Sequence, residues 1–205
     1  MSYKNIVVPF INSSTIKDKA DAFRLKYWNS SIPIDVERIL DLKLRIHIIL
    51  VFRLQDYCDT DALISSNWDS IYVDRNKFLD ERYQNRLRFS FAHEIGHFVL
   101  HKNTYNSFKI KDKEDFYKLI KEIPQLQYGY LEKQANLFAS YLLIPRERLI
   151  EETKKIRNST EMKKVLASNK IDKGMLNSYL SIPLSKIFMV SEEAIEIALK
   201  DINNG

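Results

Sequence analysis

Residues 88–101, RFSFAHEIGHFVLH, impose the tightest constraint on this chain. Leu87, Phe91, Ile95 and Phe98 recur at helical spacing, so the stretch from about Asp80 to His101 reads as a helix with one buried stripe. The apolar flanks FSFA and FVL close in on His93, Glu94 and His97. Burying two imidazoles and a carboxylate without partners costs several kcal/mol. Any fold that accepts this helix must therefore supply something for those three side chains to bind.

His93-Glu94-Ile95-Gly96-His97 matches HExxH, a spacing that suits zinc. Residues four apart lie one helical turn above each other, so both imidazoles can reach a single ion at about 2.0–2.1 Å. Glu94 projects around the helix, where it can meet the metal's water instead of the metal. A catalytic zinc site needs a third protein ligand. His101 is eight residues beyond His93, about 12 Å along a helix, and out of reach unless the helix breaks. It reads as a C-terminal imidazole favoured by the helix dipole. His47 falls inside an expected strand, packed or exposed.

The better candidate is Glu132. It shares a helix face with Ala135, Asn136, Ala139 and Leu143 at steps of three and four. Ala135 and Ala139 allow a second helix to approach closely, and Gly96 offers the matching gap. A glycine in a buried helix costs about 1 kcal/mol against alanine, so Gly96 needs a packing reason. Spacing alone favours a solvated first-turn carboxylate for Glu132, and the shared small face brings the ligand reading level with it.

With 205 residues the chain can bury most of its surface without covalent staples. The single cysteine, Cys58, excludes an intrachain disulfide framework and a cysteine-rich zinc site. Its acidic context, DYCD, is expected to raise the thiol pKa. No apolar run approaches the roughly 18 residues of a membrane span, and the opening MSYKNIVVPFINSS lacks a signal-peptide core. A cytoplasmic address with no membrane partner follows as the expectation. The net charge of +5 arises from 32 basic and 27 acidic residues that are interleaved, as in KIKDKEDFYK, so direct nucleic-acid binding is not expected.

A first helix is expected from Thr15, with Asp18 completing a capping box and Ile16, Ala20, Phe23 and Tyr27 forming its buried stripe. A short helix follows Pro33 and runs through Leu40. Alternation from Leu44 to Phe52 and the segment SIYVD at 70–74 read as strands of a small antiparallel sheet with helices on one face. Helices over about 112–123 and 130–144 come next, the second ending at Pro145. The stretch between His101 and Glu132 reads as packed surface structure, not a lid. Three more helical stretches complete the chain, the last capped by Ser191. PLSKIFMVSEEAIEIAL has a helix-turn-helix cadence, but Glu192, Glu193 and Glu196 would repel phosphates.

The segments RFSFAHEIGHFVLH and EKQANLFASYLLIP together resemble the ImmA/IrrE family of metallopeptidases, in which an AHExGH helix precedes ExxAN-x-FA-x-x-LL-x-P. Weaker likeness in SIPIDVERIL, SIYVD and IFMVSEEAIEIAL extends it from about residue 16 to 200. The resemblance implies an α+β, zincin-like minimal metallopeptidase, mostly helical, with a small antiparallel sheet. It places that domain at 1–150 and a helical extension packed on it at 151–205. It implies one Zn²⁺ per chain held by His93, His97 and Glu132, with Glu94 as catalytic base. Gln134 departs from the pattern, because relatives often carry a second acid there.

The same resemblance implies a zinc endopeptidase whose protein substrate is a helix-turn-helix transcriptional repressor of a mobile element or stress regulon. Two other readings stand beside it. One is a zinc-binding regulatory protein that docks to a transcription factor and hydrolyses little. The other is an interaction module with structural zinc or none. For the donor that stabilises the oxyanion, Tyr128, Tyr130, Tyr141 and His47 all stay open.

Overall fold

The computed structural model describes residues 3–160, 162–163 and 173–204. It contains α1 (Ser13–Tyr27), then α2 (Val36–Arg38), which runs into a π-helical turn over Ile39–Leu44. Next come β1 (His47–Val51), α3 (Leu54–Cys58), β2 (Ala62–Ile64), β3 (Ser70–Asp74) and α4 (Arg75–Phe78). A 3-10 turn at Glu81–Tyr83 leads into α5 (Gln84–Leu100), α6 (Lys102–Tyr105), α7 (Lys113–Glu122) and α8 (Gln125–Leu143). The chain continues with α9 (Arg146–Arg157), α10 (Lys173–Phe188) and α11 (Glu192–Asn204). One compact unit comprises Met1–Ser30 and Asp35–Leu142, the other Ser31–Ile34 and Leu143–Gly205.

In the first unit, α1 starts earlier than the capping-box reading. Asn12 caps it, its Oδ1 accepting the Thr15 N–H at 2.8 Å. Either residue can cap, and Asn is at least as good as Thr, so the helix gains two more residues. Ile16, Ala20 and Phe23 are buried, while half-buried Tyr27 leans on Phe23 with ring centroids 4.7 Å apart.

The fold is α+β and mostly helical, as the sequence implies. The sheet, however, is mixed, and the antiparallel expectation is corrected. Its strand order is β1-β3-β2. β1 runs parallel to β3, with His47 beside Ser70 and Val51 beside Asp74. A parallel pair needs a crossover, and α3 lies within it. Only β2 pairs antiparallel with β3, Ala62 opposite Val73, through a turn in which the Ser65 N–H donates to the Ser70 carbonyl at 2.9 Å. The alternation from Leu44 is half misleading. Its first residue closes the π-helical turn, Arg45 takes a φ of 55°, and extended structure begins only at His47.

α5 buries Leu87, Phe91 and Ile95, as the stripe predicts. α8 is longer than expected and starts at Gln125. The segment before α1 is fastened to it: Gln127 Oε1 accepts the Val8 N–H at 2.7 Å, and Gln134 Nε2 donates to the Pro9 carbonyl at 3.0 Å. The two glutamines are seven residues apart and so lie on one side of the helix.

In the second unit Leu149, Leu180, Leu184, Phe188, Ile195, Ala198 and Leu199 are buried. Arg146 pairs with Asp201 at 3.0 Å. Ser191 caps α11 as expected, its Oγ accepting the Ala194 N–H at 3.2 Å. The part of the expected helical extension over 164–172 lies outside the described residues. Among the described residues no helix is long and apolar enough to cross a membrane.

Candidate metal centre

Helices α5 and α8 bring the HExxH residues and Glu132 together. The reason for their close approach is Gly96. A Cβ there would stand 3.1 Å from both the Cα and the carbonyl oxygen of Ala135, and 3.3 Å from the Phe138 Cβ. The glycine thus lets the two backbones almost touch.

Across this contact His93 Nε2 and His97 Nε2 are 2.9 Å apart. The Glu132 carboxylate approaches them at 3.3 Å and 3.6 Å. Ligands held about 2.0–2.1 Å from a common tetrahedral centre are about 3.3–3.4 Å apart. The two imidazole nitrogens, 2.9 Å apart, sit somewhat closer than that spacing, while Glu132 lies near it with its two oxygens, Oε2 towards His93 at 3.3 Å and Oε1 towards His97 at 3.6 Å. Two nitrogens and a carboxylate are also a donor set that zinc accepts. His97 is only 2% exposed, whereas the Glu132 side chain is 29% exposed, so the triangle is walled on one side and open on the other.

Glu94 lies beside this cluster. It offers a carboxylate oxygen within 4.8 Å of the ligand atoms of His93 and His97. Its Oε2 accepts the Ile64 N–H at 2.8 Å, so β2 fixes its orientation. Burial pushes its pKa up, His93 opposes the shift, and Glu132 adds to it, to about 8. Burial pulls His93 down, but its hydrogen bond to Glu132 and that carboxylate's charge prevail, with help from Glu94 and Asn136, and lift it to about 9. His97 is driven well below its ordinary value by burial and then by His93 and His101. Three titratable groups are pushed apart by their surroundings in this way, a pattern that accompanies charge or proton handling.

Several partners were not legible beforehand. His93 Nδ1–H donates to Asn136 Oδ1 at 2.8 Å, and His97 Nδ1 meets His101 Nδ1 at 3.0 Å. His101 is buried and is no charged helix cap: burial outweighs its bond to Gln134 and lowers it to about 4. The Tyr105 ring lies 5.1 Å from that of His97 and is 2% exposed. The spacing of His93, His97 and His101, each one turn apart, was the one available signal for this chain of rings.

The four open oxyanion donors separate in space. Tyr128 sits one turn before Glu132, and burial, then the charges of Glu132 and Glu94, raise its hydroxyl. Tyr130 is exposed on α8, Tyr141 is buried, and His47 is exposed on β1. The Tyr128 hydroxyl thus feels both site carboxylates.

A family model described as Peptidase M78, IrrE N-terminal-like domain, matches residues 78–200, more than half of the chain. No curated protein matches it.

Proposed function

The chain belongs to the Peptidase M78 family of IrrE N-terminal-like domains, a family of metallopeptidases, and we propose that it is a zinc-dependent endopeptidase. The observation that carries this reading is the triangle formed by His93, His97 and Glu132, with Glu94 beside it but tethered to Ile64. His93, His97 and Glu132 would hold the zinc. When bound there, zinc supplies Lewis acidity towards a peptide carbonyl and makes water easier to deprotonate.

The remaining work falls to the chain. Glu94, with a pKa near 8 before metal binds, is poised to exchange a proton close to neutral pH. It accepts the proton of the attacking water as the new C–O bond forms. It then delivers that proton to the amide nitrogen as the C–N bond breaks. The Ile64 N–H keeps one carboxylate oxygen occupied and leaves the other for this transfer. Asn136 holds the His93 ring so that Nε2 faces His97 and Glu132, where it would serve as a ligand. Tyr128, whose hydroxyl feels the charges of Glu132 and Glu94, is the donor we assign to steady negative charge on the carbonyl oxygen.

The substrate in this proposal is a protein regulator, a helix-turn-helix transcriptional repressor, met in the cytoplasm. The motif pair that resembles ImmA/IrrE proteins supports that choice. Zinc-loaded protein incubated with a panel of purified helix-turn-helix repressors should cut at least one into two fragments readable by mass spectrometry. Glu94→Gln should leave the same repressor whole. Intact repressors with both proteins would overturn the endopeptidase reading in favour of a docking role.

A further inference from the structure

A line of hydrogen bonds leaves the metal centre and ends on the main chain of the N-terminal segment. His97 Nδ1 is 3.0 Å from His101 Nδ1, His101 Nε2 is 3.1 Å from Gln134 Oε1, and Gln134 Nε2 is 3.0 Å from the Pro9 carbonyl oxygen. Each link has one workable direction, and the direction is set from the far end. A carbonyl oxygen can only accept, so Gln134 must present its NH₂ to Pro9 and its oxygen to His101. That oxygen also only accepts, so His101 carries its proton on Nε2. In a neutral imidazole the other nitrogen is then bare. The bare His101 Nδ1 must receive a hydrogen from His97 Nδ1. This leaves His97 Nε2 unprotonated, its lone pair directed at His93 Nε2 and Glu132.

We infer that His101 and Gln134 are positioning residues, a relay anchored on the Pro9 carbonyl that locks His97 in the tautomer able to bind a cation through Nε2. The inference rests on the zinc reading above for its purpose, but not for its geometry. Burial supports it: His101 and Gln134 are 2% and 5% exposed, so water does not offer either an alternative partner. Tyr105 packs on the His97 ring and stops it from rotating away from the relay. Gln127 strengthens the anchor by holding the Val8 N–H next to Pro9. The outer partners of metal-bound histidines typically change metal affinity by about 10–100-fold when removed.

The test combines a spectroscopic signature with zinc retention. Protein labelled with ¹⁵N at histidine, studied by long-range ¹H–¹⁵N correlation in the metal-free state, should show His101 protonated at Nε2 and His97 at Nδ1. Gln134→Met keeps the length of the side chain and removes both bonds. It should lower zinc affinity about 10–100-fold in competition with a chelator. Gln134→Glu keeps the acceptor for His101 and should restore affinity to within about threefold of the parent. His101 protonated at Nδ1 in the parent would overturn the relay, as would a Gln134→Met protein that holds zinc as tightly as the parent. A parent that takes up no zinc sinks the peptidase proposal instead, and the tautomers of that metal-free protein still decide the relay.

Discussion

Gly96 and Ala135 meet backbone to backbone, and no side chain larger than hydrogen fits at position 96 without moving one of them. The added Cβ of Gly96→Ala would lie 3.1 Å from two main-chain atoms, which cannot swing aside as a side-chain tip could. Alanine gains about 1 kcal/mol of helix propensity over glycine, but overpacking against a fixed neighbour costs about 1–3 kcal/mol. The variant should therefore be less stable in urea titration and should lose zinc affinity, because His93 and His97 move with α5 while Glu132 stays on α8. Unchanged zinc affinity would show that the helix contact does not set the ligand triangle.

Glu132 and Glu94 should separate cleanly in a paired measurement. Glu132→Ala removes one corner of the triangle at 3.3 and 3.6 Å and should lower zinc content far below one per chain, as should His93→Ala. Glu94→Gln should keep zinc and lose about 10²–10⁴-fold in hydrolysis rate, the range a general base contributes. Adding chelator to the parent should also lower its melting temperature, since a ligand at 100 times its Kd stabilises by about 2.7 kcal/mol. Zinc retained by Glu132→Ala would assign the third ligand elsewhere.

Asp61 offers a prediction about the strand that aims Glu94. Its carboxylate, 4% exposed, accepts from Lys77 Nζ and Arg86 Nε, and its carbonyl accepts the Asp74 N–H at 2.9 Å. It directly precedes β2, whose Ile64 N–H holds Glu94. Asp61→Ala strands the Lys77 ammonium, only 15% exposed, with Gln55 Oε1 as a neutral partner at 2.8 Å. Breaking a buried pair costs about 3–5 kcal/mol, and that remaining partner places this case near 3. The urea midpoint should fall accordingly, and hydrolysis should slow even where the protein is still folded. A loss under about 1 kcal/mol would mean the pair is solvated.

The proximity of His93 and His97 was legible because their spacing is a local property of helices. His93 and His97 are one turn apart in any α-helix, and Gly96 announced a close approach that Ala135 then supplies. Glu132 was legible only as one of two readings, since whether a first-turn carboxylate faces solvent or another helix depends on tertiary packing. Parallel pairing of β1 with β3 was hidden because β2, with three residues, is too short to show alternation. The relay through His101 and Gln134 was hidden for a different reason. Its links join residues 33 and 125 positions apart, and His101 looked like an ordinary charged helix end until burial made it neutral.

Cys58 should behave as an inert thiol, and the cause is testable. Its pKa is raised above 9.0 first by burial and then by Glu114, with Lys113 opposing. The DYCD neighbours that suggested the direction are not the main source. Alkylation by iodoacetamide at pH 8 should be slower than that of a free cysteine, and the rate should still be climbing above pH 9. Linkage gives a second readout. Because the folded state keeps this proton to a higher pH than the unfolded state, the contribution to stability is full below pH 9 and is lost as pH rises towards the folded value. Cys58→Ala should therefore lose stability less steeply than the parent in urea titrations above pH 9. Rapid alkylation that levels off near pH 8 would instead indicate an exposed, activated thiolate.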